Sequence, residues 1–147
     1  MAFFADVHAS QKYALGTRVR DKVGGEFIYL KGVTNCAQGS WVSFDEAHVT
    51  ILATANAQGR VAIAGAAVDA STKFGWFQIY GKCPGKALAS FADNGKVYLT
   101  ATAGSVDDTD VAGDFVVGAV GRSAVNETTF LATFQLNYPM VQDTAFD

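Results

Sequence analysis

Charge is scarce in this 147-residue chain, with only 17% of residues Asp, Glu, Lys or Arg, against about 25% in an average soluble domain. Apolar residues make up 50%, which excludes disorder and supplies the material for a core. So thinly charged an exterior points to a surface that faces other protein subunits. The net charge of -3 and a pI near 5.2 argue against a nucleic-acid partner, because neutralising phosphates takes clustered Lys and Arg. Arg18, Arg20 and Lys22 are the only basic concentration; they alternate along one stretch with Asp21 between them and read as a solvated strand face.

Long hydrophobic runs, cysteine and histidine are also lacking. The longest uncharged stretch, Thr128 to Gln142, holds Gln135, Asn137 and Pro139, so no segment reads as a membrane span. The opening MAFFADVHASQK has neither a basic n-region nor a signal-length apolar run before Asp6, so retention in a cytoplasm is expected. Cys36 and Cys83 match no CxxC spacing and are expected as two reduced, half-buried thiols, with a disulfide as the alternative. A zinc site would have to gather both His and both Cys from distant places without any ligand-pair spacing, so no metal and no cofactor is expected.

Catalytic motifs are missing as well. There is no GxSxG elbow, no HExxH helix and no phosphate-binding GxxxxGK[ST] loop, and Gly59 to Gly65 lacks the dinucleotide spacing. His48, beside Asp45 and Glu46, reads as a strand-end residue, and His8 lies in the N-terminal stretch. Asp107, Asp108, Asp110 and Asp114 lack the order and closing Glu of a calcium loop, and the sequon Asn126-Glu127-Thr128 reads as chance. The expectation is a protein without enzymatic activity.

What the chain does have is frequent Gly and Asn between short stretches of Val, Ile, Phe, Tyr and Thr, the pattern of many short strands. Strands are predicted over Arg18 to Asp21, Glu26 to Val33, His48 to Ala53, Val61 to Ala66 and Gly75 to Tyr80. Further strands are predicted over Lys86 to Ala89, Val97 to Thr100, Phe115 to Arg122 and Thr128 to Leu136. Turns fall at Gly24-Gly25, Asn56 to Gly59, Pro84-Gly85, Asn94-Gly95 and Gly104 to Asp110, with Asn94-Gly95 the best hairpin signal. The 24 alanines sit mostly in period-two contexts, so helix is limited to short turns near Phe44 to Ala47 and Val68 to Lys73. The fold class is therefore mainly β: a small barrel or sandwich domain over 16–147, preceded by an N-terminal arm over 1–15. Phe3, Phe4, Tyr13 and Leu15 make that arm too apolar to stay free, and it is expected to pack on the domain or on a neighbour. In Phe74 to Gly81, Trp76, Gln78 and Tyr80 share one face and Phe77 and Ile79 the other, which predicts a core side and a side covered by a partner segment.

The succession LGTRVRDKVGGEFIYLKGV (Leu15 to Val33), FGWFQIYGK (Phe74 to Lys82), VYLTATAGSVDD (Val97 to Asp108), GDFVVGAVGRS (Gly113 to Ser123) and FQLNYP (Phe134 to Pro139) resembles the capsid decoration (cement) proteins of tailed bacteriophages. The resemblance spans Leu15 to Val141. It implies a virion structural protein that binds the outside of the assembled head, contacts the major capsid protein and commonly forms a homotrimer. It brings no catalytic residues. On this reading the contact residues expected from the sequence are Phe3, Phe4, Tyr13, Leu15, Arg18, Arg20, Trp76 and Tyr80, with no nucleic-acid or membrane partner. The alternatives are a tail, head-tail junction or shell protein, and a carbohydrate-binding β module that uses Trp41, Trp76 or Tyr80.

Overall fold

The computed structural model describes residues 5–141. Among these the chain is β throughout, without α-helix; the helical turns expected near Phe44 and Val68 are tight turns and bends. The strands are β1 (Val7–His8), β2 (Arg18–Arg20), β3 (Glu26–Lys31), β4 (Trp41–Phe44), β5 (Thr50–Leu52), β6 (Gly59–Ala64), β7 (Phe74–Lys86), β8 (Lys96–Leu99), β9 (Val106–Asp107), β10 (Phe115–Gly121) and β11 (Leu131–Val141). They form one antiparallel sheet in the order β2-β3-β7-β6-β11-β10-β8-β9, with β1 on β7 and the β4–β5 hairpin on β6. A parallel bridge from Ala87 to Val106 brings β9 back to the end of β7, so the sheet curls barrel-like around its larger core.

Burial explains why these residues form strands. On β6, Val61 and Ile63 enter the larger core with Trp41, Leu99, Phe134 and Leu136, while Ala62 and Ala64 enter a second core with Ile28, Leu30, Phe77 and Ile79. β4 divides in the same way, Trp41 facing one core and Val42 and Phe44 the other. These two strands are thus a wall buried on both faces. A third cluster, Phe27, Tyr29 and Trp76, lies on the far side of β3 and β7.

The long β7 serves all three clusters by changing partners along its length. Phe74 to Tyr80 pairs with β3 and Tyr80 to Lys86 with β11; Gly81, at φ +91°, supplies at the changeover a conformation that L side chains rarely adopt. Pro84-Gly85 is not the expected turn. Thr133, opposite Pro84, directs its carbonyl and amide to Arg122 and Ser123 of the other neighbour, so Pro84 owes β11 no N–H. Gly85 is fixed by packing, since a Cβ there would lie 3.0 Å from Ile63, Phe134 and Trp41 Nε1. Asn94, in the left-handed region, closes a turn from Ala92 to Gly95, but no strand precedes it, and β8 pairs with β10 and β9 instead.

The two-sided burial of β6 predicts intolerance to added volume. Ala62→Leu should cost about 1 to 3 kcal/mol, read as a lower urea midpoint with an unchanged slope.

Candidate interaction surface

Over its described part, the N-terminal segment is bound to its own sheet. Val7 and His8 pair with Gly75 and Phe74. The Tyr29 hydroxyl, its pKa raised chiefly by burial, shares a 2.8 Å hydrogen bond with His8 Nδ1 and accepts one from the Lys12 amide at 3.3 Å. The Tyr13 ring stands edge-on to Tyr29 at 5.3 Å and 5.5 Å from Trp76, and Leu15 packs on the same cluster. Trp76, expected at a subunit interface, is therefore only 1% exposed; the segment that covers its face belongs to the same chain. Tyr13 keeps 39% of its surface, and Phe3 and Phe4 lie outside the described residues.

Arg18, Arg20 and Tyr80 do come together, around a carboxylate that sequence reasoning did not single out. Glu26 has a side chain only 7% exposed, with Arg20 Nε at 3.2 Å and an Arg18 guanidinium nitrogen at 3.6 Å. The Tyr138 hydroxyl donates to Glu26 Oε1 at 2.7 Å, and that bond to a carboxylate is the main cause of the tyrosine's raised pKa, ahead of burial. Tyr138 sits at φ +50° with its ring 5.2 Å from Tyr80, and Arg20 lies 5.9 Å from the Tyr80 ring centroid. A buried carboxylate needs such partners. Both arginines thus face inward onto the hairpin that carries them, while their outer surfaces remain in water.

Other sequence candidates hold the backbone. The Asp45 carboxylate accepts from the Ala47 and Val49 amides, Asp108 from Ala92, and buried Asp114 from Asn56 at 2.8 Å. Asn126 Oδ1 accepts from Thr128 and Thr129. His48, at φ +62°, stacks on Phe44 with ring centroids 6.4 Å apart. Among the described residues no group of three or more His, Cys, Asp or Glu is placed to hold a metal ion. Trp41 is fully buried, as Trp76 nearly is, so neither tryptophan offers a ring face for a sugar.

The surface that the sequence reading missed lies on β10, β11 and β6. Phe115, Val117 and Met140 are 41%, 46% and 40% exposed, and Val117, Met140, Arg60 and Phe44 lie opposite one another in register across four strands. The Arg60 guanidinium rests on the Phe44 ring, 5.1 Å from its centroid, beside a cleft of about 690 Å³ that Val49, Ile51 and Met140 also line. The signal was FVV at Phe115 to Val117, apolar on both strand faces where a one-sided core needs only one.

Comparison of the chain with protein-family models, curated proteins and solved structures gives no match.

Two predictions follow from the buried groups. Cys36 and Cys83 are free and buried, one in each core, and burial lifts the Cys36 thiol from 9.0 to about 11. Its stabilisation is therefore complete below the unfolded thiol's pKa and is lost as pH climbs toward the folded one. Wild type should lose about 1.4 kcal/mol per pH unit in that window relative to Cys36→Ala, measured by urea unfolding. Deleting Met1 to Tyr13 uncovers Tyr29 and Trp76, so about 1.5 to 3 kcal/mol of stability and a blue-shifted tryptophan emission should be lost.

Proposed function

We propose that this chain is a capsid decoration protein, a virion structural component that binds the exterior of a tailed-phage head, contacts the major capsid protein and stabilises the shell. One observation carries the reading: the five segments that resemble that family fall on β2 and β3, β7, β8 and β9, β10 and β11, every strand of the sheet's main path except β6. The resemblance therefore runs through most of the framework of the domain, together with the β2–β3 and β8–β9 connections. The exposed apolar row of Phe115, Val117 and Met140 supports a protein that works through contacts with other proteins. In this reading the chain acts as a homotrimer by binding alone, is made in the host cytoplasm and ends on the virion surface. Repetition over a lattice makes individually weak contacts effective.

The test is co-sedimentation with undecorated tailed-phage heads. Saturable occupancy and heads that survive higher temperature are expected. Heads that stay bare at every concentration would remove the proposal.

A further inference from the structure

Asn94 is the only asparagine of the chain that is followed by glycine, and the fold favours both residues where they stand. Asn94 sits at φ +64°, a conformation that Asn tolerates better than most L residues. A Cβ on Gly95 would stand 2.9 Å from the Ala92 carbonyl oxygen and 3.0 Å from Asp108 Cβ. The turn therefore uses the dipeptide whose side-chain amide is most easily lost, because a glycine nitrogen is unhindered in its attack on the preceding Asn Cγ. In that step a bond forms between the Gly95 nitrogen and Asn94 Cγ, the Cγ–Nδ2 bond breaks, and ammonia leaves with the proton of the Gly95 amide. Water then opens the succinimide ring to aspartate or isoaspartate.

The structure holds this step off in two ways. The Gly95 amide donates to the Ala92 carbonyl at 3.0 Å, and of Asp93 and Asn94 only Asn94 has a positive φ. That is a type II turn, whose third residue has ψ of about 0°. At such a ψ the Gly95 nitrogen is rotated away from Asn94 Cβ, whereas the five-membered ring needs the two eclipsed. The second restraint is on the side chain, which is exposed and so little held by packing. Arg122 Nη1 donates to Asn94 Oδ1 at 2.9 Å, and Gln135 Oε1 steadies the same guanidinium by accepting from its Nε at 3.1 Å. We infer that Asn94 is a site of spontaneous deamidation that the native turn and the Arg122 guanidinium keep closed. Conversion then waits for this loop to open locally. Isoaspartate adds a methylene to the backbone, so the Gly95 bonds to Ala92 and to the Gly121 amide would not both survive it. This holds for the chain on its own, whether or not it binds a head.

Peptide mapping by mass spectrometry of the full chain, incubated in mildly alkaline buffer well below its melting temperature, tests this. Native wild type should convert Asn94 about tenfold more slowly, or slower still, than the same chain unfolded in guanidinium chloride at the same pH and temperature. Arg122→Ala should raise the native rate about threefold or more, and Gln135→Ala, which leaves the guanidinium in place but less steadied, should raise it by less. Circular dichroism melts show whether each variant remains folded, and chains carrying isoaspartate at this position should melt below unconverted ones. A native rate equal to the unfolded one, or a folded Arg122→Ala chain that converts no faster than wild type, would overturn the inference.

Discussion

Because β4 and the inner part of β6, from Val61 to Ala64, are buried on both faces, their apolar side chains must fill one of two cores whose separation is set by a single sheet. Large residues on both faces would push the flanking strands apart, so β6 alternates Val61 and Ile63 toward the larger core with Ala62 and Ala64 toward the smaller one. The smaller core takes its bulk from the other side, from Ile28, Leu30, Phe77 and Ile79. That arrangement forces β7 to supply Phe77 and Ile79 to one core and Cys83 to the other. A strand pairing first with β3 and then with β11 needs a break in its pleat where it changes partner, and Gly81 provides it. Ala62 and Ala64 follow from the same requirement: they are the side chains of a shared wall rather than of a helix.

β10 was legible because periodicity reports one-sided burial, its exposed Phe115 and Val117 flanking buried Val116. β3 and the inner part of β6, buried on both faces, were legible instead as apolar runs, Phe27 to Leu30 and Val61 to Ala64, beside turn signals. β4 was missed for the converse reason. Trp41-Val42-Ser43-Phe44 serves two cores, so it carries no alternation, and its neighbours Asp45 and Glu46 resemble the start of a helical turn. Pro84-Gly85 misled because proline's cost in a sheet depends on whether the opposite residue needs its N–H, and that depends on Thr133, far along the chain. The expected contact cluster was half visible. Arg20 and Glu26 are register partners across one short hairpin, whereas Tyr138 reaches Glu26 from 112 residues away. Trp76 and Tyr13 were recognised as too apolar to be free, but a partner chain and a neighbouring segment of the same chain leave identical marks in sequence.

Scarcity of charge has a further consequence once the partners are known. Asp21, Asp45, Asp108, Asp114 and Glu127 each accept from backbone amides of loops or strand ends, where they replace hydrogen bonds that no strand neighbour supplies. Glu26 is enclosed by two arginines and a tyrosine, and Asp69 pairs with Lys73, which holds its carboxyl below the usual range. Ion pairs are correspondingly few among the described residues: apart from Glu26 with its two arginines and Asp69 with Lys73, the charged side chains form none.

Apolar exposure on a β protein usually raises the question of strand-to-strand aggregation, and here the two ends of the strand order lie apart from the exposed row, although the β5 edge brings exposed Ile51 to the cleft beside Met140. β2, at one end of the strand order, carries Arg18 and Arg20 and is three residues long; β9, at the other, has two residues and is tied back to Ala87. Short or charged edges are poor templates for added strands. The exposed row instead lies across the face of interior strands, and β10 and β11 shift register between Val117 and Ala119, where a Cβ on Gly118 would stand 2.6 Å from the Asn137 carbonyl. A face interrupted in this way presents side chains in a fixed relief and no free ladder of amides. Contacts made on it must be won by shape and by the charges at its margins, which favours a specific partner over indiscriminate stacking.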